Sequence, residues 1–485
     1  MNINDFNMEE KDIYRLFNSV NIGESEFDSM DEEVTDAEKK RIKKNLKKRV
    51  KAKGKFKLLK YSSIAAILSL ISIIGIGCVS PTLAENIPVL NSITQKLNDK
   101  FGFHGEYEKY SQIINRPVTS NGVTLTINEI IADDSKLVIG YTIKSDKKIE
   151  NLETFALGMF LKIDGKTSGS NGSSVGNYTD EYTYVGSEEI HTDLLKNASN
   201  KINITLNVDE ISDVKGKWNF SFSASKDELV KDSVVFKPNI KLDFPNSIAN
   251  IDKVVFSPMD TSIFISGKYK DKEKVKNDIE VKHDTRLMDY DYWVAYDDKG
   301  DELITKGTGE SGDYNKGTFS VEMQYNKLER IPKYLTIVPC NILPLDGEGE
   351  GTDKNGKKIH YTIKGKKPTE ISKTIDGVYP IELSQGKMGK IIIEKIETKS
   401  DNTTVKYRVE GKAPYFEAQS LWIKDSLGKM VHYKSYDIRK DESKPNEFVR
   451  QFEKLDPSKK YTIYTNDFSN VEFREDLKFK INLDK

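Results

Sequence analysis

Cysteine is nearly missing from this chain: its 485 residues carry two, Cys78 and Cys340. That excludes a disulfide framework and a CxxC metal pair. Histidine is almost as scarce, and His104, His191, His283, His360 and His432 stand singly. No two of them have metal-ligand spacing, so zinc chemistry lacks a donor set. No phosphate-binding loop is present, and neither metal nor cofactor is expected. The acidic stretches Asp289 to Asp301 and Asp346 to Glu350 lack the D-x-[DN]-x-[DN]-G order of a calcium loop and read as solvated hairpin ends. Gly172-Ser173-Ser174-Val175-Gly176 spells G-x-S-x-G. That pattern is a nucleophile only on a strand-to-helix elbow, and a Ser/Gly-rich loop surrounds it here. Tyr290, Tyr292 and Trp293 could stack on a sugar, yet alternation places at least one of them in a core. Nothing in this inventory argues for an enzyme. A net charge of −1 also argues against a nucleic-acid binder, which needs a basic surface.

Long apolar runs are equally rare, with one exception. Residues 61–84 carry no charge, and their apolar core runs from Ile64 to Val79. A spanning helix takes about 17–25 apolar residues, so this run predicts a transmembrane helix. Charge is distributed unevenly around it. Residues 1–38 hold 12 acids and two bases, whereas residues 39–60 hold 13 bases and no acid. The positive-inside rule then predicts a single-pass cell-membrane protein with a cytoplasmic N-terminus and extracellular C-terminal domains.

The tail, residues 1–60, reads as helical. Ile13, Leu16, Phe17 and Val20 fall at i, i+3, i+4, i+7, an apolar stripe that needs a partner. Thr35-Asp36-Ala37-Glu38 has the form of a capping box. The bases Lys47, Lys48, Arg49, Lys51, Lys53, Lys55, Lys57 and Lys60 form a collar suited to anionic lipid headgroups of the bilayer.

Beyond a connector at 85–115 the pattern changes to period-two alternation, the signature of half-buried strands. Residues 125–143 and 391–409 align without a gap at an offset of 266, matching Leu125 with Ile391, Ile127 with Ile393 and Tyr141 with Tyr407. A third copy lies at 249–267, where Ile251, Val254, Ile263 and Ile265 hold the same places. Asp/Gly turns and closing aromatic strands recur with each copy. The fold class expected is therefore mainly β: tandem immunoglobulin-like β-sandwich domains at 116–240, 241–366 and 367–485.

The run Val79-Ser80-Pro81-Thr82-Leu83-Ala84-Glu85-Asn86-Ile87-Pro88-Val89-Leu90, the segment Asn121 to Lys144 and the strand Gly216 to Phe220 resemble a family of Gram-positive membrane proteins. These carry an uncharacterised immunoglobulin-like extracytoplasmic domain, and many are described as anti-sigma factors. The resemblance implies signal transduction: a tail that binds a sigma factor and β domains that sense an extracellular ligand. Residues 1–60 contain no His or Cys, unlike the zinc-containing type, so Ile13, Leu16, Phe17 and Val20 would carry the contact. The competing expectation is a membrane-anchored surface protein that holds a cell-wall polymer, peptide or protein and has no sigma partner.

Overall fold

The computed structural model describes residues 92–483, apart from 168–170, 197, 276–289, 314, 343–346, 353–357, 364–368 and 442. The chain divides at residue 76 into two units, and every described residue belongs to the second.

Three β modules build that unit, each around its own apolar core. The first contains the hairpin Val123–Ala132 and Lys136–Ser145. The second contains Ser247–Phe256 and Asp260–Tyr269, and the third Gly389–Thr398 and Asn402–Gly411. The strand limits keep the spacing of the sequence repeat. In each module the hairpin lies inside one sheet with the same strand order, ending on an edge strand: Asn171–Asp180, Thr305–Asp313 or Tyr433–Ser435.

The likeness extends to an irregularity. All three hairpins shift register at one place, Ile127/Glu129, Ile251/Lys253 and Ile393/Lys395. The extra residue is polar each time, and the facing strand answers it. Asn128 accepts a hydrogen bond from Thr142 at 2.8 Å, Asp252 one from Ser266 at 3.0 Å, and Glu394 lies 3.5 Å from Arg408. Such bulges sharpen the local twist. The alternation around them buries Leu125, Ile127, Ile130, Tyr141 and Ile143 completely or nearly so in the first module. Each fully buried aliphatic chain of this size contributes about 1.5–3 kcal/mol. Trp218 is also fully buried, and its indole nitrogen donates to the Val123 carbonyl at 2.9 Å.

Two devices join the modules. The first is the segment that opens the described chain. Its helix Ile93–Phe101 is capped by Ser92, which accepts from the Gln95 amide, and closed by Gly102 at φ 83°. The buried Glu129 accepts from Ser92 and Thr94, fixing the segment to the first module. Glu106 pairs with Lys327 at 2.7 Å and Asn326 donates to Gly102, reaching the second. Phe101 stacks on Tyr436, and His104 lies 3.3 Å from Asp437, reaching the third. The other device is a strand return. Val471–Phe473 and Phe479–Asn482 leave the third module and pair with Tyr334–Ile342 of the second. Ile481 and Leu483 complete its core.

The structure corrects the membrane reading. Among the described residues no helix is long and apolar enough to cross a membrane. The helix Ile93–Phe101 has nine residues and is amphipathic, whereas a span takes about 20 apolar ones. The proposed span at 61–84, and with it the single-pass topology and extracellular placement, finds no support and is withdrawn. That run lies outside the described residues, as do Ile13, Leu16, Phe17, Val20 and the basic collar. What stands is a mainly β chain of sandwich-like modules.

Candidate functional site

The turns of the first two hairpins meet. Both are closed in the same way, by a hydrogen bond from the Asp133 amide to the Lys136 carbonyl and from the Ser257 amide to the Asp260 carbonyl. Lys136 and Asp260 hold the same position in their repeats and ion-pair directly across the junction. Beside them Glu189 and Gln324 also hold equivalent positions, and Gln324 donates to Glu189 at 2.7 Å. Like places in like modules therefore face one another, and complementary residues occupy them.

Around this pair the charge balances. Lys306 reaches Glu189 at 3.1 Å, Asp260 at 3.4 Å and the Tyr107 hydroxyl at 3.0 Å. Lys136 lies 3.3 Å from Glu189. His191 bridges the modules, 3.0 Å from Glu189 through Nε2 and 3.1 Å from Glu322 through Nδ1. Three cations thus meet three carboxylates, and the Lys136, Lys306 and Asp260 side chains are at most 5% exposed.

Burial opposes the charges of Lys136, Lys306, His191, Glu189 and Asp260, and the partners outweigh it. Lys136 and Lys306 are held above the usual lysine range by Asp260 and Glu189. Glu189 is held well below the usual carboxylate range by Lys136 and Lys306, and Asp260 is lowered by the same two. For His191 desolvation favours the neutral ring, but hydrogen bonds to Glu189 and Glu322 push its pKa up to about 9. Lys136, Lys306, His191, Glu189 and Asp260 are therefore all held in their charged forms at neutral pH.

Four members of the network, His191, Lys306, Glu322 and Gln324, line a cleft of about 540 Å³, inside the usual range for ligand sites of about 300–1,000 Å³. Ser135, Ser173 and Thr192 line it from the first module, and Thr308, Ser311 and Glu322 from the second.

At the other junction Glu302 accepts from the Tyr415 and Phe416 amides at 2.6 and 3.3 Å. Its burial raises the pKa to about 8. It caps the short helix Pro414–Ala418.

Sequence reading had brought none of this network together. His191 appears there only as a scattered histidine, and Lys136, Glu189, Asp260, Lys306 and Glu322 are not singled out. One signal was available: Lys136 and Asp260 fall at equal places in two repeats and carry opposite charge. The G-x-S-x-G run lies on the edge strand Asn171–Asp180, with no elbow. Trp293 and Tyr290 are buried, and Tyr292 packs on Phe416, so these rings form no sugar platform. Cys340 is a buried free thiol. Among the described residues no cluster suited to a metal ion occurs.

Residues 53–145 match a domain of unknown function (DUF4179), and residues 233–383 match a family of unknown function (DUF5643). No curated protein matches. Among solved structures, the conserved domain protein from Bacillus anthracis is 24% identical over 56% of this chain and 93% of its own, with a TM-score of 0.41. A marsupial T cell receptor is 7% identical over 75% of this chain and 99% of its own, with a TM-score of 0.13. The resemblance to anti-sigma membrane proteins is corrected accordingly: both matched families are of unknown function, and neither supplies a sigma-factor partner or a bilayer anchor.

Proposed function

We propose that the three modules form a non-catalytic binding scaffold, in which the cleft between the first two is a preformed ligand site and not a hinge. The observation that carries this reading is the buried, charge-balanced network under the cleft. A general acid or base works best with a pKa near the operating pH. Lys136, Lys306, Glu189 and Asp260 are displaced away from neutrality, and His191 holds its proton between two carboxylates. Groups held in this way fix geometry. Breaking one buried charge pair costs about 3–5 kcal/mol, so the junction resists opening. The segment from Ser92 to Ser111 adds contacts to all three modules.

Hydrogen exchange on the full chain tests the reading. The amides of Lys136, Glu189 and Gln324 should be protected as strongly as those of the core strand Val123–Ala132, and small-angle scattering should fit one arrangement. Exchange at loop rates, or scattering that needs several arrangements of the modules, would count against a preformed site.

A further inference from the structure

Lys136 and Asp260 meet in a setting unlike that of the other ion pairs. Their side chains are 1% and 2% exposed, and no other lysine–carboxylate pair among the described residues has both partners so deeply buried. The turns do not need them. In the third repeat Asn402 holds the same place, and its turn closes alike, by a hydrogen bond from the Lys399 amide to the Asn402 carbonyl at 2.8 Å. Lysine and aspartate at this place therefore serve the contact between modules and not the hairpins.

The groups around the contact are ordered. Lys136 Nζ touches Asp260 Oδ2, and Ser257 Oγ lies 3.1 Å from the other oxygen, Oδ1. Lys306 Nζ is 3.4 Å from Oδ2, and Glu189 Oε1 is 3.3 Å from Lys136 Nζ. An amine is thus set against a carboxyl group whose two oxygens differ in surroundings: Oδ1 has a hydroxyl beside it, and Oδ2 has two cations. A second carboxylate stands next to the same nitrogen.

We propose that Lys136 and Asp260 condense to an isopeptide bond, a covalent bridge between the first and second modules. One proton passes from Nζ to Oδ2, giving amine and carboxylic acid. The nitrogen lone pair then attacks Cγ, and the Ser257 hydroxyl meets the charge that develops on Oδ1. Glu189 takes a proton from the nitrogen and returns it to Oδ2, which leaves as water when the C–O bond breaks. Ammonium plus carboxylate gives amide plus water, with no oxidant, reductant or co-reactant. The ion pair is the resting form, and burial, which opposes both charges, narrows its advantage over the neutral pair. The bond forms once per molecule, so a small neutral population suffices. A single slow event does not need a base tuned to neutral pH, as repeated turnover does. Condensation also removes two charges from a site where burial makes charge costly. Lys306 and His191 remain matched by Glu189 and Glu322. The bridge joins positions 124 apart in sequence, and so long a ring restricts the unfolded chain strongly. This goes beyond the scaffold reading and does not require the cleft to hold a ligand.

Intact-mass spectrometry of the purified full chain, followed by peptide mapping, tests the bridge. The chain should weigh less than its sequence requires by one water, about 18 Da, and digestion should yield a branched peptide that joins the segments around Lys136 and Asp260. Lys136→Arg, which keeps the charge, should restore the full mass, and Glu189→Gln should leave most molecules unbridged. Full mass in the unaltered chain overturns the proposal, as does a loss of water that maps elsewhere or persists in Lys136→Arg. A fully bridged Glu189→Gln chain overturns the role given to Glu189. The unaltered chain decides the main question, so the test holds even if Lys136→Arg fails to fold. Full mass with a junction still protected in hydrogen exchange removes the bridge and leaves the scaffold. A bridged chain whose junction exchanges at loop rates keeps the bridge and overturns the preformed site.

Discussion

The two junctions between modules solve one problem by opposite means. Between the first and second modules side chains do most of the joining: Lys136, Glu189, Asp260 and Lys306 exchange charge across a seam that no strand pairing crosses among the described residues. Between the second and third the backbone itself crosses, and Val471–Phe473 and Phe479–Asn482 become part of the second module's sheet. A charged seam is specific but vulnerable to any change that strands one partner. A shared sheet is held mainly by main-chain pairing and apolar packing and is vulnerable to loss of apolar volume.

That contrast can be broken from either side. The largest effect is expected from Glu189→Ala, which leaves Lys136, Lys306 and His191 without their common partner. It should destabilise the first and second modules by about 3–5 kcal/mol in denaturant unfolding, and the third much less. Ile481→Ala should cost about 2–5 kcal/mol, registered in the second module although the residue lies at the far end of the sequence. Unchanged protection of the strand Tyr334–Ile342 in hydrogen exchange would show that the returning strand is dispensable.

Alkaline pH separates the junctions more finely. His191 has its pKa raised from 6.5 to about 9, so the folded chain binds more protons than the unfolded one across that interval. Its contribution is fully present below pH 6.5 and is lost as pH rises through 9; the shift sets an upper limit of about 3 kcal/mol. His191→Gln should flatten that slope. Glu302, raised from 4.5 to about 8 by burial, has the same sign: stability falls as pH rises through 8, and Glu302→Gln should remove this second loss at the other junction. A stability curve rising between pH 7 and 9 would refute both assignments. The smallest effect is reserved for Gln451→Ala. Gln451 holds the place of Glu189 and Gln324 in the third repeat but is only half-buried, so about 0.5 kcal/mol is expected.

The hairpins were legible because alternation is a local property. Leu125, Ile127 and Ile130 announce a half-buried strand from neighbours alone, and the gapless match with Ile391, Ile393 and Ile396 reveals the repeat. The junction was not legible, because the partners of Lys136, Glu189 and Asp260, lie 53 and 124 positions away; in its own turn it looks solvated. The returning strands escaped for another reason. Three or four residues, such as Val471–Phe473, are too few to display a period, so the sequence reading left them with the third repeat. The apolar run at 61–84 misled through composition alone: length and flanking charge suggested a span, and no long apolar helix occurs among the described residues to support it.

The strand return also has a consequence for biosynthesis. A ribosome delivers Ser247 long before Ile481, so the second module emerges with part of its sheet and core unfilled. The third repeat can assemble its own hairpin in that interval, whereas the second must wait, its Tyr334–Ile342 edge uncovered. Order of synthesis and order of completion are therefore inverted for these two modules. The nascent chain carries an unprotected β edge during that delay, the kind of surface for which chaperones compete.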